Sequence, residues 1–174
     1  MKLGGLKPVD DRKIIERVLK GDTEAFNLMV RQWERPIYNF ILRMIGNRDE
    51  AMDLCQDSFM KAYRELGTLK DKDRFSAWLY RIAHNTCFSK LRKDFGKTFV
   101  ELAPETSAAH VPIENRLAVE KALQYLPDDQ REVVVLKIFH SLKFEEIAVI
   151  QDAPVSTVKS RLYMGFEKLR SILR

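Results

Sequence analysis

Apolar residues recur every third or fourth position from Ile14 to Leu91, and again from Ile113 to Leu173. That is the period of a helix buried along one side, and a strand, whose side chains alternate, cannot satisfy it. Only seven glycines and six prolines interrupt 174 residues, so few positions break a helix. The chain is therefore predicted to be all-α. The beat stops over residues 96–112 (GKTFVELAPETSAAHVP), where two prolines, small polar residues and a net charge of −1 predict a linker. Extended, a segment of that length reaches roughly 55 Å. The expected division is residues 1–95, a linker over 96–112, and residues 113–174, with two helical halves that need not touch.

The first half reads as four helices. Asp10 or Asp11 caps one, and Asp22 caps a second that carries Phe26, Met29, Trp33, Ile37, Phe40 and Met44 on its buried side. Pro36 is expected to bend or divide it. A third helix starts at Asp49 and closes at Gly67; a fourth begins near Phe75 and turns Trp78, Leu79, Ile82, Ala83 and Cys87 inward. After Pro112, helices are expected over 113–126, 128–139, 143–150 and 156–172, the last two in a helix-turn-helix arrangement. Ser156 would cap the final helix, which would bury Val158, Leu162, Phe166, Leu169 and Leu173.

The net charge of +5 is unevenly spread. Residues 48–57 carry −3, residues 72–93 carry +5, residues 112–152 carry −3 and residues 153–174 carry +4. A protein that only coats nucleic acid has no need of the acidic blocks, so a second, basic partner is implied. Cys55 and Cys87 form no CxxC pattern and fall on apolar stripes, as buried thiols in a reducing compartment do. His84, His110 and His140 are scattered, which predicts no zinc site. No apolar run approaches the roughly 18 residues that span a bilayer, and no signal peptide is visible, so a cytoplasmic protein without membrane insertion is expected.

Three clusters carry chemistry. In PVSTVKSRLYMGFEKLRSILR, the residues Ser156, Thr157, Lys159, Ser160 and Arg161 occupy the first turns of a recognition helix, with Arg161 expected to face outward. Arginine bonds bidentately to guanine, and serine, threonine and lysine suit phosphates or base edges. In RDEAMDLCQDSF, the residues Glu50, Asp53 and Asp57 share one helical stripe. It is either a solvated face or a docking surface for a basic protein. In KDKDRFSAWLYRIAHNTCFSKLRK, cations interleave with Phe75, Trp78, Tyr80 and Phe88, a composition that holds unpaired bases, although Trp78 also fits a core position. Loop 68–74 beside Asn85 would form a pocket for one flipped base.

These residues carry a resemblance. The chain resembles the extracytoplasmic-function (ECF) sigma factors of bacterial RNA polymerase over nearly its whole length. DEAMDLCQDSFMKAYREL is similar to their polymerase-docking helix, RFSAWLYRIAHN to the helix that melts the −10 element, and LPDDQREVVVLKIFHSLKFEEIA with PVSTVKSRL to the domain that binds the −35 element. The chain departs from the family at Ser89, often an aspartate, and at Met164, Gly165 and Phe166, where an Arg-Ala-Arg run is common.

The resemblance implies sigma domain 2 over 1–95 and sigma domain 4 over 113–174, with the linker threading toward the RNA exit channel. Glu50, Asp53, Gln56, Asp57 and Phe59 would dock on the beta-prime clamp, and the C-terminal domain would meet the beta flap. Lys70, Lys72, Arg74, Phe75, Trp78, Arg81, Asn85, Lys90 and Arg92 would take the non-template single strand at −10. Ser156, Thr157, Lys159, Ser160 and Arg161 would take duplex at −35. An anti-sigma factor would control the protein, which would have no catalytic residue, metal or cofactor of its own. Two rivals carry distinct requirements. A self-sufficient helix-turn-helix regulator needs a dimer seam, and none is apparent; a nuclease needs a convergent ligand set, and none is visible.

Overall fold

A computed structural model describes residues 10–94 and 113–173, with side chains of the second segment from residue 117 onward. The linker expected over 96–112 lies outside the described residues. Four helices form the first half: α1 (Asp11–Leu19), α2 (Thr23–Ile45), α3 (Arg48–Glu65) and α4 (Phe75–Lys93). Four more form the second: α5 (Ile113–Gln124), α6 (Asp128–Val134), α7 (Phe144–Gln151) and α8 (Val155–Ile172). No strand occurs among the described residues, as the all-α expectation requires.

Side-chain caps begin the first three helices. Asp10 accepts the Arg12 amide at 3.1 Å, and Asp22 accepts that of Ala25 at 3.1 Å. Asn47, rather than Asp49, caps α3 by accepting the Glu50 amide at 3.0 Å. Gly46 ends α2 in the left-handed conformation at φ 78° and returns its amide to Leu42. Pro36 does not divide α2, which runs unbroken for 23 residues. Burial of Ile37, Phe40, Ile41 and Met44 just beyond it outweighs one missing amide.

Two corrections concern α8. Its N-cap is Pro154, with no side-chain cap, and Ser156 lies inside the first turn. The buried stripe is Val158, Gly165 and Leu169, with Leu162 half-buried, whereas Phe166 and Leu173 are exposed. A Cβ on residue 165 would stand 3.0 Å from Val134 Cγ2, so α8 approaches α6 closely enough that a methyl group there would be tightly packed. The packing register passes through Gly165 and turns Phe166 out.

The halves, which the linker length leaves free to separate, touch in this structure. Ile14, Phe40, Phe75 and Leu79 join Leu123, Leu136, Ile147 and Val158 in one continuous apolar cluster. α4 packs on α7, and α2 on α5 and α6. The Arg43 guanidinium, buried on α2, meets Glu120 of α5 at 3.0 Å and lies 4.1 Å from the Phe139 ring centroid. Gln124 donates to the Arg43 carbonyl at 2.8 Å.

Candidate nucleic-acid interface

Helix α4 and the turn before it present a stripe spaced by three and four residues: Arg74, Trp78, Arg81, Asn85, Phe88 and Arg92. Arg74, Arg81, Asn85 and Arg92 are exposed, while Trp78 and Phe88 are half-buried. Guanidinium groups interleaved with part-exposed aromatic side chains can hold phosphates and stack bases. Trp78 packs at 5.8 Å from Phe75, which is fully buried and belongs to the core, not to the surface expected of it. Lys70 is exposed. Lys72 is half-buried and paired at 2.9 Å with Glu16, and Asp73 is paired with Arg12, so α1 braces the loop ahead of α4. These neighbours hold the carboxyls of Asp73 and Glu16 below their ordinary range.

On α3 the expected docking residues separate. Asp53, Gln56 and Asp57 are exposed and have no side-chain partner among the described residues. Glu50 instead pairs with Lys90 at 2.9 Å, and Lys90 also meets Asp94 at 2.8 Å. One bridge thus engages a residue assigned to docking and one assigned to −10 binding. Phe59 is only 5% exposed, so it backs α3 from within rather than offering a contact surface. Met52 and Met60 flank the acids and are exposed, which leaves soft apolar area beside the charge.

In the second half, α7, a tight turn with Asp152 at φ 49° and α8 form the helix-turn-helix. Ser156, Lys159 and Ser160 are exposed in the first turns of α8, and Thr157 is half-buried. Arg161 does not stand free on the outward face. Its Nε lies 2.9 Å from Asp129 of α6, and its Nη1 donates to Gln151 Oε1 at 2.9 Å. Lys159 also lies 5.5 Å from the Phe144 ring centroid.

Sequence reading missed several groups that hold this site together. Arg131, on α6, donates to the carbonyls of Leu123 and Leu126 at 3.0 Å and to that of Met44 at the end of α2. It thereby satisfies carbonyls left unpaired at two helix ends, and burial lowers the affinity of its guanidinium for the proton. Glu132, next in sequence, is fully buried and contacts His84 Nδ1 at 2.6 Å. Its other oxygen accepts from Gln151 at 2.8 Å. An Arg-Glu pair inside an apolar helix was the available signal, because charges there need partners. Burial pushes the Cys55 thiol up to about 12 and that of Cys87 well above its ordinary value, so both behave as core side chains.

The family models for Sigma-70 region 2 and Sigma-70 region 4 match residues 29–94 and 116–169. The chain is 33% identical to RNA polymerase sigma-H factor of Pseudomonas aeruginosa, over 94% of each chain. This chain belongs to the ECF sigma factors. ECF RNA polymerase sigma factor SigW of Bacillus subtilis is likewise 33% identical, over 94% of this chain and 96% of its own. Among solved structures, the sigma factor RpoE in complex with the anti-sigma factor NepR from Bartonella quintana aligns at a TM-score of 0.72 and 27% identity. That alignment covers 85% of this chain and 96% of RpoE. CnrH in complex with the cytosolic domain of CnrY shares the fold at a TM-score of 0.74 and 24% identity, over 95% of this chain and 97% of CnrH. As an ECF sigma factor the chain is a promoter-specificity subunit of bacterial RNA polymerase. The two matched regions contain α4 and nearly all of the α7–α8 motif.

Proposed function

We propose that this sigma factor divides its task among the three surfaces, with domain 2 over residues 1–95, a linker over 96–112 and domain 4 over 113–174. Asp53, Gln56 and Asp57 dock on the basic clamp of core polymerase. Arg74, Trp78, Arg81, Asn85 and Arg92, with Lys70 ahead of them, take the melted non-template strand at −10. Ser156, Thr157, Lys159, Ser160 and Arg161 take duplex at −35, and the same domain meets the beta flap. The observation that carries this division is the pair Asp53 and Asp57, exposed one helical turn apart without a partner, on the helix beside the cation-rich α4.

The polymerase performs the chemistry and the sigma factor supplies specificity. No helix among the described residues is long and apolar enough to cross a membrane, which supports a cytoplasmic site of action. Control by an anti-sigma factor is supported by the RpoE relative, whose structure is a complex with one.

The test is run-off transcription with core enzyme, paired with core binding by Asp53→Lys/Asp57→Lys. Charge reversal of both exposed acids is expected to weaken core binding at least tenfold and leave the melting temperature unchanged. A folded double variant that binds core as the parent does would remove α3 from the docking surface.

A further inference from the structure

Helical geometry fixes which side of α8 can face DNA. Val158, Leu162, Gly165 and Leu169 mark the side packed on the rest of the protein. At about 100° per residue, Ser156, Ser160 and Glu167 stand nearly opposite that side. Tyr163 and Met164 flank the same outward line by roughly 50°, one to each side. Arg161 is turned further round and is tied to Asp129 and Gln151. Tyr163 is 69% exposed and Met164 48% exposed, and neither side chain has a hydrogen bond or ring contact among the described residues. Met164 lies one turn beyond Ser160, roughly 6 Å along the axis. That is less than two base-pair steps of about 3.4 Å, so a helix that brings Ser160 to the base edges brings Met164 there too.

We propose that Met164 is a specificity residue of the −35 surface and reads a thymine through its 5-methyl group. The inference rests on the reading of α8 as the −35 helix. The chemistry leaves one target. Base-pair edges in the major groove present donors, acceptors and a single apolar group, the thymine methyl. A methionine side chain has no proton to donate, and its sulfur is a weak acceptor. It therefore cannot make the hydrogen bonds that distinguish guanine, adenine and cytosine. Its unbranched, polarisable chain can instead shape itself around a methyl group and exclude water from it. The surrounding charge favours DNA as the occupant over an apolar protein face. Residues 153–174 carry +4, and Lys159 and Lys168 are exposed on either side of Met164 in the sequence. Tyr163, across the outward line, ends in a hydroxyl and so keeps a polar contact open that Met164 lacks.

The test uses holoenzyme on promoter duplexes that carry the tightest-binding −35 sequence selected from a randomised pool. Each thymine of that element is replaced in turn by deoxyuridine, which removes the methyl and keeps every hydrogen-bonding group. At one position the parent is expected to lose about fourfold in affinity, the worth of one buried methyl group. Met164→Ala should lose nothing further on that substitution. Met164→Gln, of similar length but polar, is read the same way should the alanine variant lose its fold. Met164→Leu, which restores an apolar body, should recover the methyl dependence, and Tyr163→Ala should keep it at that position. A parent indifferent to every methyl, or folded Ala and Gln variants that keep the full dependence, would overturn the inference. Either result with −35 selectivity intact would leave α8 as the reader. If scrambling the whole −35 element cost the parent no affinity, that reading would fall, and this one with it.

Discussion

Arg161 on the recognition helix is held 2.9 Å from the carboxylate of Asp129 on α6, so the residue best suited to read a guanine is braced from within its own domain. Both side chains are partly exposed, at 25% and 42%, so the pair adds no more than about 1 kcal/mol to stability. Its consequence is orientation. Arg161→Ala should cost about 1–3 kcal/mol at the preferred −35 sequence and relax specificity there. Asp129→Ala should keep the fold yet broaden the preference, because the guanidinium loses one of its two tethers. Holoenzyme binding to single-base −35 variants reads both effects. An Asp129→Ala profile identical to the parent's would show that the brace does not set specificity.

Gly165 makes a different prediction. A methyl group there meets Val134 Cγ2 at 3.0 Å, closer than ordinary van der Waals contact. Overpacking costs about 1–3 kcal/mol, against a gain of about 1 kcal/mol from alanine's helix propensity. Gly165→Ala should therefore destabilise the protein slightly, and in a Val134→Ala background the same change should become neutral or stabilising. Phe166 is 42% exposed, so Phe166→Ala should cost well under the roughly 3–5 kcal/mol of a buried phenylalanine. Thermal melts of the four variants check the set.

Helix number, the polar turns and most of the core were legible because a 3.6-residue period repeats in every element. The inner residues of α4 were read in the same way. What the period could not tell was which side of a glycine would pack. A stripe through Leu162, Phe166 and Leu169 is as regular as one through Leu162, Gly165 and Leu169, and only the close approach to Val134 selects the second. Contact between the halves was illegible for another reason. Its apolar part uses the same stripes that each half needs for its own core, and its polar part is made by Arg43, Glu120, Arg131, Glu132 and Tyr80, residues far apart in sequence whose pairing leaves no local pattern. The cation at Lys90 was visible, but not that Glu50 would occupy it.

Arg131 joins the ends of α5 and α2 by donating to four backbone carbonyls, those of Leu123, Gln124, Leu126 and Met44. Its loss leaves buried acceptors unpaired at two helix termini. Arg131→Ala should cost about 3–5 kcal/mol, as breaking a buried charged contact does. Arg131→Lys, which keeps the charge but not the planar fork of donors, should recover less than half of that. Chemical denaturation of both variants measures this. Equal stability of the lysine variant and the parent would mean that charge alone suffices.

His140 makes the stability depend on acid. Its Nδ1 is hydrogen-bonded to the Tyr80 hydroxyl at 2.7 Å, and its Nε2 is buried without a hydrogen-bond partner among the described residues. Burial, with the positive charge of Arg43 nearby, pushes its pKa down from 6.5 to about 3. The unfolded chain therefore binds a proton at higher pH than the folded one. The stabilisation is complete above about pH 6.5 and is lost progressively as pH falls toward about 3. Asp22, Asp73 and Glu16, whose carboxyls are held low by their hydrogen bonds and ion pairs, add their own losses at lower pH, so the informative window is roughly pH 5–7. Melting temperatures across that window should fall for the parent and stay flat for His140→Phe. That variant keeps a ring against Phe40 but leaves the Tyr80 hydroxyl unpaired, which lowers its whole curve without tilting it. Parallel curves for the two proteins would show that His140 titrates alike in the folded and unfolded chains.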